Sequence, residues 1–492
     1  MDRLFGAASN PLRHLGALGY LFFWLIVASG LYIYIWFDTS VSGAYESVWY
    51  LTREQWWLGG VMRSVHRYAS DAFMLVVALH IVREFVYGRH YHFRWFTWVS
   101  GVPLLWLMLF AGLTGFWLVW DDAALFSAVA TTEWFDSLKI FSEPLARNFL
   151  RPDSAGDRLF SLFVFLHIGV PLLLLLGMWI HVQRLAHPDT QTSRTLTVGG
   201  TLALLVLSFL KPAQLGLPAS TGAVSSQISF DWFYLAPHAL MYATSPEALW
   251  WTAGVTTLVL LLCPWMPHAK PAPVAVVDPE NCNGCRRCFA DCPYGAISML
   301  PHTLPKVGRE LAVVDTNLCA SCGICAGACP SATPFRSTER LVSGIDMPQI
   351  PIDQLRASLK AQLARLKSEV KIVIFGCDHG AAVRALNDGN AAVTSLLCAG
   401  QLPPSFIEFA LRSGADGVFI VACPDGGCEF RLGARWLEER LSGERDPYLK
   451  PTIDPRRWKF VHASAVETGL LKREYSAFRE RLKNWRGALA YG

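Results

Sequence analysis

The chain has 492 residues, of which 52% are hydrophobic and only 17% are charged, against about 25% charged in a typical soluble domain. This length suggests about three domains. The composition excludes an intrinsically disordered chain and argues against a purely soluble one. The formal net charge of +4 is too small to indicate a nucleic-acid partner. All but one of the 13 cysteines follow residue 280, which is unlike a secreted, disulfide-rich protein.

Long apolar runs occupy the first half of the chain. A helix needs about 20 residues to cross a bilayer, and six runs approach or exceed this length: 16–37, 60–83, 99–120, 159–183, 196–211 and 248–265. A buried core helix is the alternative for any one run, but six in succession favour an all-α transmembrane bundle over residues 1–268. Lys and Arg between the runs favour a cytoplasmic position for the amino end and for everything after residue 266. We expect no cleavable signal peptide.

The character of the chain changes after residue 268. Residues 269–340 are cysteine-rich and loop-like, and residues 341–370 contain an amphipathic stretch that predicts a linker helix. Over 371–492, apolar strand patterns alternate with helical ones, which predicts a small α/β domain with a parallel sheet. The basic tail from residue 451 is interpreted as a solvated face, with a docking surface as the alternative.

Four histidines lie inside the apolar runs, His66 and His80 on the second run and His167 and His181 on the fourth. Each pair is separated by 14 residues, which returns a helix to within about 40° of the same face, roughly 21 Å further along. Two facing helices would oppose His66 to His167 and His80 to His181, the geometry of two bis-imidazole haems stacked across a bilayer. Ionisable residues inside a membrane are functional by default. Interhelical hydrogen bonding is the alternative.

Glycines repeat this spacing on the first and third runs, and they are Gly16, Gly30, Gly101 and Gly115. Because glycine has no side chain, the backbone could approach a flat macrocycle closely at both depths of the histidines. Helix packing by small residues is the alternative. Arg63 and Arg83 each lie three residues from a histidine, where a guanidinium could pair with a haem propionate. Arg83 could equally anchor its helix at the membrane surface.

Residues 1–268 resemble the cytochrome b family of the quinol-oxidising bc complexes. The resemblance rests on three stretches, RSVHRYASDAFMLVVALHIVR at 63–83, LTGFWLVWDDAALFSAV at 113–129 and RLFSLFVFLHIGVPLLLLLGMWIHVQR at 158–184. It implies two haems b, with His66 and His167 on the outer side and His80 and His181 near the cytoplasm. It also implies a quinone site beside the inner haem and, as one state of assembly, a homodimer through this domain.

A fourth stretch, FDWFYL at 230–235, is similar to the family's Pro-Glu-Trp-Tyr segment at the quinol-oxidising pocket on the outer face. Phe230 stands where the family has Pro, and Asp231 stands where it has Glu. The resemblance implies that Asp231 is the carboxylate that accepts a quinol proton. The two replacements bear directly on whether this pocket is active.

Eight cysteines form two copies of the spacing C-x2-C-x2-C-x3-C-P. This is the bacterial ferredoxin spacing for two 4Fe–4S clusters, in which the fourth cysteine of each run ligates the other cluster. The first cysteine group is then Cys282, Cys285, Cys288 and Cys329, and the second cysteine group is Cys319, Cys322, Cys325 and Cys292. Zinc is the alternative, but zinc sites use ligand pairs rather than a triple-plus-one repeat. The spacing predicts a small α+β ferredoxin fold.

Four further cysteines follow predicted strands and form what we call the cysteine quartet: Cys377, Cys398, Cys423 and Cys428. The carboxyl ends of parallel strands are where α/β sheets place their sites. Four thiolates there suit an iron–sulfur cluster or zinc, with ordinary buried cysteines as the alternative. LCAG at 397–400 and GADGVFIVACPDGGCEFRLG at 414–433 resemble the small iron–sulfur (delta) subunit of methyl-viologen-reducing hydrogenase, which implies a 2Fe–2S cluster.

These features predict a membrane electron-transfer subunit of a quinone-linked oxidoreductase in the inner (cytoplasmic) membrane, with its iron–sulfur domains in the cytoplasm. One 2Fe–2S cluster, two 4Fe–4S clusters and two haems b would connect a cytoplasmic flavoprotein or iron–sulfur partner with the quinone pool. The sequence contains no GxGxxG fingerprint for a flavin or nicotinamide. Two other hypotheses stay open. One is energy-coupled quinol oxidation at Asp231 that delivers electrons to a cytoplasmic acceptor, and the other is a membrane anchor that recruits a soluble oxidoreductase.

Overall fold

A computed structural model describes the chain over residues 9–147, 156–220, 228, 231–266, 272–304, 307–377, 379–380, 383–387, 389–424 and 426–490. The chain divides into two compact units. The helical unit comprises His14–Gln183 with Pro188–His268. The iron–sulfur unit, so called for its predicted clusters, comprises Ala269–Gly492 with Met1–Arg13 and Arg184–His187.

The helical unit consists of helices joined by irregular connections. In chain order its α-helices are α1 Leu15–Trp36, α2 Ala44–Arg53, α3 Val61–Val86, α4 Trp95–Trp117, α5 Asp122–Asp136, α6 Asp157–His181, α7 Arg194–Leu210, α8 Ala236–Ala243 and α9 Pro246–Leu262. Each predicted apolar run coincides with one of the long helices. Three shorter helices, α2, α5 and α8, lie in the connections, where the sequence analysis did not predict helices.

Among the described residues, four helical segments are long and apolar enough to cross a membrane, namely Leu15–Trp36, His92–Trp117, Asp157–His181 and Pro246–Trp265. Helix α7 has 17 residues, about 26 Å of helix against a hydrocarbon core of about 30 Å. Helix α3 is long enough, but charged side chains such as Arg67 and Asp71 interrupt its apolar surface. These two pair with each other at 2.7 Å, one helical turn apart. Several apolar helices are therefore established, and the count of six spans stays a prediction.

The helical unit is organised by two helix pairs, because α1 packs against α3 and α4 packs against α6. Phe73 of α3 and Leu174 of α6 belong to one buried apolar cluster, to which all four helices contribute. Capping side chains fix where other helices begin. The Asp121 carboxylate accepts the Ala124 N–H at the start of α5 (2.9 Å), and Ser245 caps α9 in the same way.

The first part of the iron–sulfur unit combines short strands and short helices. Its elements are β1 Val276–Val277, α10 Arg287–Asp291, β2 Ile297–Pro301, β3 Glu310–Val314, α11 Ile324–Ala328 and β4 Ile345–Asp346. Strand β1 pairs with β4, and β2 pairs with β3, both antiparallel. Gly284 has φ +69°, and a Cβ there would collide with the backbone of Glu310, so the turn between the first two cysteines needs glycine.

A four-stranded parallel sheet forms the second part. Its elements are α12 Ile352–Arg365, β5 Ile372–Cys377, β6 Ala391–Leu396, α13 Ser405–Arg412, β7 Gly417–Ala422, α14 Gly433–Ser442, β8 Trp458–His462 and α15 Thr468–Ala490. The strand order is β6-β5-β7-β8. Because β6 and β7 lie on opposite sides of β5, the strand order reverses between β5 and β7. That is where sheets of this kind open a crevice for a site.

The interpretation of the tail from residue 451 as a solvated face holds for exposed basic side chains such as Lys472 and Arg473, but the segment also supplies β8 and α15. One stripe of α15 is buried against the sheet, and its members are Leu471, Tyr475, Phe478 and Leu482. The many basic residues between them obscured this stripe in the sequence. Helix α12, which we predicted as a linker, buries its apolar face in the same core as β6.

Candidate redox centres

His66 on α3 and His167 on α6 face each other within the helical unit. Their ring centroids lie 6.2 Å apart, and their ring planes are inclined by 72°. A metal bound to both imidazoles at about 2 Å would hold the two ring centroids roughly 6 Å apart. The gap between the rings therefore suits one iron that both imidazoles would ligate.

The second nitrogen of each of these rings is already engaged. Nδ1 of His66 lies 2.9 Å from the carbonyl oxygen of Ile26, and Nδ1 of His167 lies 3.0 Å from that of Ala111. With Nδ1–H donating to a carbonyl, Nε2 keeps its lone pair for a metal. The sequence analysis missed these two carbonyls. The signal was present, since each belongs to the residue four positions before one of the predicted glycines.

Each predicted glycine lies against one histidine ring. A Cβ added to one of these glycines would lie close to Cε1 of a histidine ring. The distance would be 2.9 Å for Gly30 and His66, 3.1 Å for Gly101 and His181, and 3.9 Å for Gly16 and His80. A Cβ at Gly115 would overlap the ring of His167. We predicted that these glycines admit a macrocycle. In the structure they make room for the imidazoles beside the neighbouring helix. Any contact with haem itself stays a prediction.

The second histidine pair is held differently. Nδ1 of His181 lies 3.1 Å from Oγ of Ser100, the residue before Gly101. Nδ1 of His80 is buried, has no hydrogen-bond partner among the described residues and lies 4.0 Å from a carboxylate oxygen of Glu84. The two rings are close enough to interact electrostatically. The structure thus brings this predicted pair together as well.

The two predicted propionate-binding arginines make other contacts. Arg63 donates to the carbonyl oxygens of Ala213 (2.8 Å) and Gln214 (2.9 Å). Arg83 lies 3.7 Å from the carboxylate of Glu84. These contacts hold the arginines near opposite ends of α3. Pairing of either arginine with a propionate stays a prediction.

Asp231 belongs to a polar network that the sequence analysis did not foresee. One carboxylate oxygen accepts the N–H groups of Phe233 (2.9 Å) and Tyr234 (2.7 Å), and the other forms an ion pair with Arg67. The Arg67 guanidinium also lies 4.7 Å from the centre of the Tyr234 ring. Phe230 lies outside the described residues. Arg67 directly follows His66, so this network joins Asp231 to the helix that carries His66.

The first cysteine group converges on one cavity. Cys282, Cys285, Cys288 and Cys329 all line it. Burial, and then the neighbouring thiols of Cys329, Cys285 and Cys282, raise the pKa of Cys288 to about 12. Such thiols keep their protons in the absence of a metal, and iron takes the place of those protons on ligation. The cavity and its four sulfurs fit a cluster.

The second cysteine group is equally close-set. Burial, and then the thiols of Cys322, Cys319 and Cys292, raise the pKa of Cys325 far above its usual range. Cys292 also accepts the N–H of Ala296 at 3.3 Å, the kind of contact that adjusts the potential of a bound cluster. Cys292 thus lies with the later run of cysteines and Cys329 with the earlier one, as the spacing predicts. Ligation itself stays a prediction.

The cysteine quartet forms a closed ring of sulfur atoms at the carboxyl edge of the sheet. Cys377 ends β5 and Cys423 follows β7, and their sulfurs lie 3.5 Å apart. Hydrogen bonds from Cys398 and Cys423 lower the pKa values of Cys377 and Cys428. A Cβ at Gly433 would overlap the sulfur of Cys398, so a glycine is needed there. Four cysteines at one edge of the sheet are the donor set of a 2Fe–2S cluster or of zinc, and ligation by them stays a prediction.

Three family models match successive parts of the chain. Residues 6–188 match "Cytochrome b/b6/petB", residues 273–333 match "4Fe-4S dicluster domain" and residues 372–485 match "Methyl-viologen-reducing hydrogenase, delta subunit". The families predicted from the sequence, and their order, are confirmed. The chain therefore has an amino-terminal helical domain of cytochrome b type, followed by domains with sheets.

One relative, described as "Cytochrome b/c1" from Bradyrhizobium diazoefficiens, is 24% identical over 273 residues. The match covers 50% of this chain and 39% of the relative, so the chain spans about two-fifths of that protein's length. A solved structure described as "Hyperthermophilic respiratory Complex III" aligns with a TM-score of 0.41 and 19% identity. That alignment covers 52% of this chain and 75% of the other.

Proposed function

We propose that the chain is a membrane-bound electron-transfer subunit that connects a soluble redox partner with the quinone pool. The observation that carries this proposal is the outer histidine pair, with ring centroids 6.2 Å apart and both Nδ1 atoms hydrogen-bonded to backbone carbonyls. Because the hydrogen bonds to the carbonyls use only Nδ1, the lone pair of each Nε2 atom is left available for a metal. Rings held in this way on two helices are prepared for one iron between them.

The described residues would hold five redox groups. His66 with His167 and His80 with His181 would each ligate one haem b, the two ferredoxin-type cysteine groups would each ligate a 4Fe–4S cluster, and the quartet would ligate a 2Fe–2S cluster. When bound, such groups take up and release single electrons. The chain's own contribution is to fix their positions and surroundings. Carbonyls and Ser100 orient the imidazoles, and N–H groups point at the thiolates.

We further propose six membrane-spanning helices in the inner membrane, with the iron–sulfur unit in the cytoplasm. The distribution of Lys and Arg between the spans supports this orientation, and so does the dependence of free thiols on a reducing compartment. The quinone site would lie beside the inner histidine pair. The soluble partner would be a flavoprotein or another iron–sulfur protein docked near the quartet, and the helical unit would form a homodimer.

Replacement of the histidines tests the proposal directly. We expect His167→Leu to lose one of two haems, and His181→Leu to lose the other together with electron exchange between quinone and the clusters. Haem per chain is measured by the pyridine haemochrome spectrum, with cluster iron as the reference. His238→Leu is the matched control, since His238 is buried but hydrogen-bonded to Thr131 at 2.9 Å and outside the proposed pairs. Unchanged haem content in both ligand variants would refute the assignment.

Energy-coupled quinol oxidation at Asp231 is a second candidate function. It is favoured by the network that joins Asp231 to Arg67 and Tyr234, because Arg67 directly follows His66 in the sequence. Asp231→Asn keeps the shape of the side chain but removes its charge. Loss of quinol-dependent turnover with both haems retained would support this candidate. Unchanged turnover would favour simple quinone reduction beside the inner pair.

A further inference from the structure

Within the iron–sulfur unit, the second cysteine group and the quartet meet at one buried contact. Helix α11, which carries Cys325, packs against the turn that follows Cys398. A Cβ at Gly433 would overlap the sulfur of Cys398 and would lie 3.3 Å from Cδ1 of Ile324. A Cβ at Gly400 would lie 3.0 Å from the same side chain. Ile324 is fully buried and therefore fills the space between the two sets of ligands.

A charged side chain lies at the same contact. Arg440 of α14 is fully buried, and its guanidinium donates to the carbonyl oxygen of Gly400 at 2.9 Å. The other end of the guanidinium forms an ion pair with Asp291. Asp291 directly precedes Cys292, and Gly400 lies two residues after Cys398. One arginine thus joins the backbone beside a quartet cysteine to a carboxylate beside a cysteine of the second group.

The charges around this contact balance. Asp291 also accepts from Arg445 at 2.7 Å, and Arg445 pairs with Glu439 at 2.6 Å. The Arg445 guanidinium lies 3.5 Å from the centre of the Trp436 ring, and Trp436 donates to the Asp291 carbonyl. With Arg440, this gives two positive and two negative side chains. An apolar core would be at least as stable as a buried ion pair, so stability alone does not explain these charges.

We propose that this contact is the route for electrons between the second cysteine group and the quartet, and that Arg440 and Asp291 set the reduction potentials on its two sides. The inference rests on the proposed function, because it needs clusters at both groups. Each transfer moves one electron, so one side is oxidised and the other is reduced, with no bond broken and no proton taken up. In a buried, weakly polarisable setting, one unit charge acts strongly on a nearby group that gains an electron.

Two substitutions of opposite sign test the inference. Arg440→Gln removes a positive charge, which makes reduction of the second group less favourable, and Asp291→Asn removes a negative charge, which makes it more favourable. We expect the reduction equilibrium constant to change about tenfold in each direction, or roughly 59 mV for a one-electron couple. The measurement is an EPR-monitored redox titration of the purified full chain. The second group and the quartet are followed in the same titration.

Control variants separate charge from structure. Arg440→Lys keeps the charge and is expected to stay near the wild-type potential, and Arg456→Gln removes an exposed arginine paired with Asp454 and is expected to change neither potential. Iron and sulfide are measured on every variant. If Arg440→Gln loses its clusters, the reduction potentials of Asp291→Asn and Arg440→Lys are compared with that of the wild type instead. If the clusters are retained but the reduction potentials do not shift, or shift in the same direction in Arg440→Gln and Asp291→Asn, this inference is overturned while the proposed function stands. A wild-type chain without cluster signals overturns the proposed function instead.

Discussion

Backbone carbonyls, and not acidic side chains, orient the imidazoles of His66 and His167. In an α-helix the carbonyl of residue i accepts the N–H of residue i+4, and the side chain at i+4 partly covers that carbonyl. Glycine at i+4 leaves it open to a second donor from a neighbouring helix. Gly30 and Gly115 stand in this relation to Ile26 and Ala111, whose carbonyls bind the histidines.

Valine in place of Gly115 is therefore expected to displace the His167 ring and to cost the outer haem, because its Cβ would occupy the position of that ring. The inner haem should remain, so that haem per chain falls to about half while the protein stays in the membrane. Gly169→Val is the matched control, since a Cβ at this α6 glycine meets nothing within 4 Å. Both are measured by haemochrome spectra of membranes. Equal haem in the two variants would contradict this account of the glycines.

At this scale the sequence predicts which histidines face each other better than it predicts the hydrogen-bond and ion-pair partners of side chains. The 14-residue spacing placed all four histidines in opposed pairs, because helical periodicity determines which residues share a face. Helical periodicity could not predict the pairing of Arg440 with Asp291. These residues are 149 positions apart, and only the tertiary packing of α14 on α10 and α11 brings them together.

The parallel sheet shows which elements a sequence pattern reveals. The run GVFIVA at 417–422 predicts a strand and forms β7 with those bounds, since a strand buried on both faces needs continuous apolar residues. Helix α15 escaped prediction because its apolar residues are spaced widely among basic ones. The pattern of a half-exposed helix is weak when a single stripe carries all of its packing.

Phe478→Ala is expected to loosen the packing of α15 against the sheet. Phe478 is almost fully buried, contacts Phe419 of β7 and lies where a Cβ on Gly417 would meet it. Loss of its ring should reduce the local free energy of unfolding by about 3 kcal/mol, and so speed hydrogen exchange of β7 roughly a hundredfold. The exposed Arg473 offers a control on the same helix. The packing described for α15 fails if Arg473→Ala and Phe478→Ala exchange at the same rate.

Across the whole molecule, the helical unit and the two parts of the iron–sulfur unit differ in what stabilises each of them. The helical unit and the parallel sheet bury large apolar side chains. The core around the two ferredoxin-type cysteine groups is instead rich in small residues and cysteines, such as Ala312, Ala326 and Cys288, and its large buried apolar residues are Ile297, Ile345 and Met347. A core of this kind buries little apolar surface, so the bound metal would supply much of its stability.

Removal of iron by a chelator under reducing conditions is accordingly expected to unfold residues 272–347, while the helices of the helical unit stay folded. Hydrogen exchange followed by mass spectrometry on the full chain resolves the two parts. Readdition of iron and sulfide should restore protection of β2 and β3. Protection of β2 and β3 that survives complete iron removal would show that this part is stable without metal.

The proposed ligand sets also have a consequence for how such a chain matures. Cys282 cannot be joined to all its partners until Cys329 has been synthesised, and Cys377 must wait for Cys428. No proposed cluster can therefore be completed before its last cysteine has been synthesised, although the remainder of the chain is still to follow. A chain truncated inside either domain would carry cysteines that lack their full set of partners.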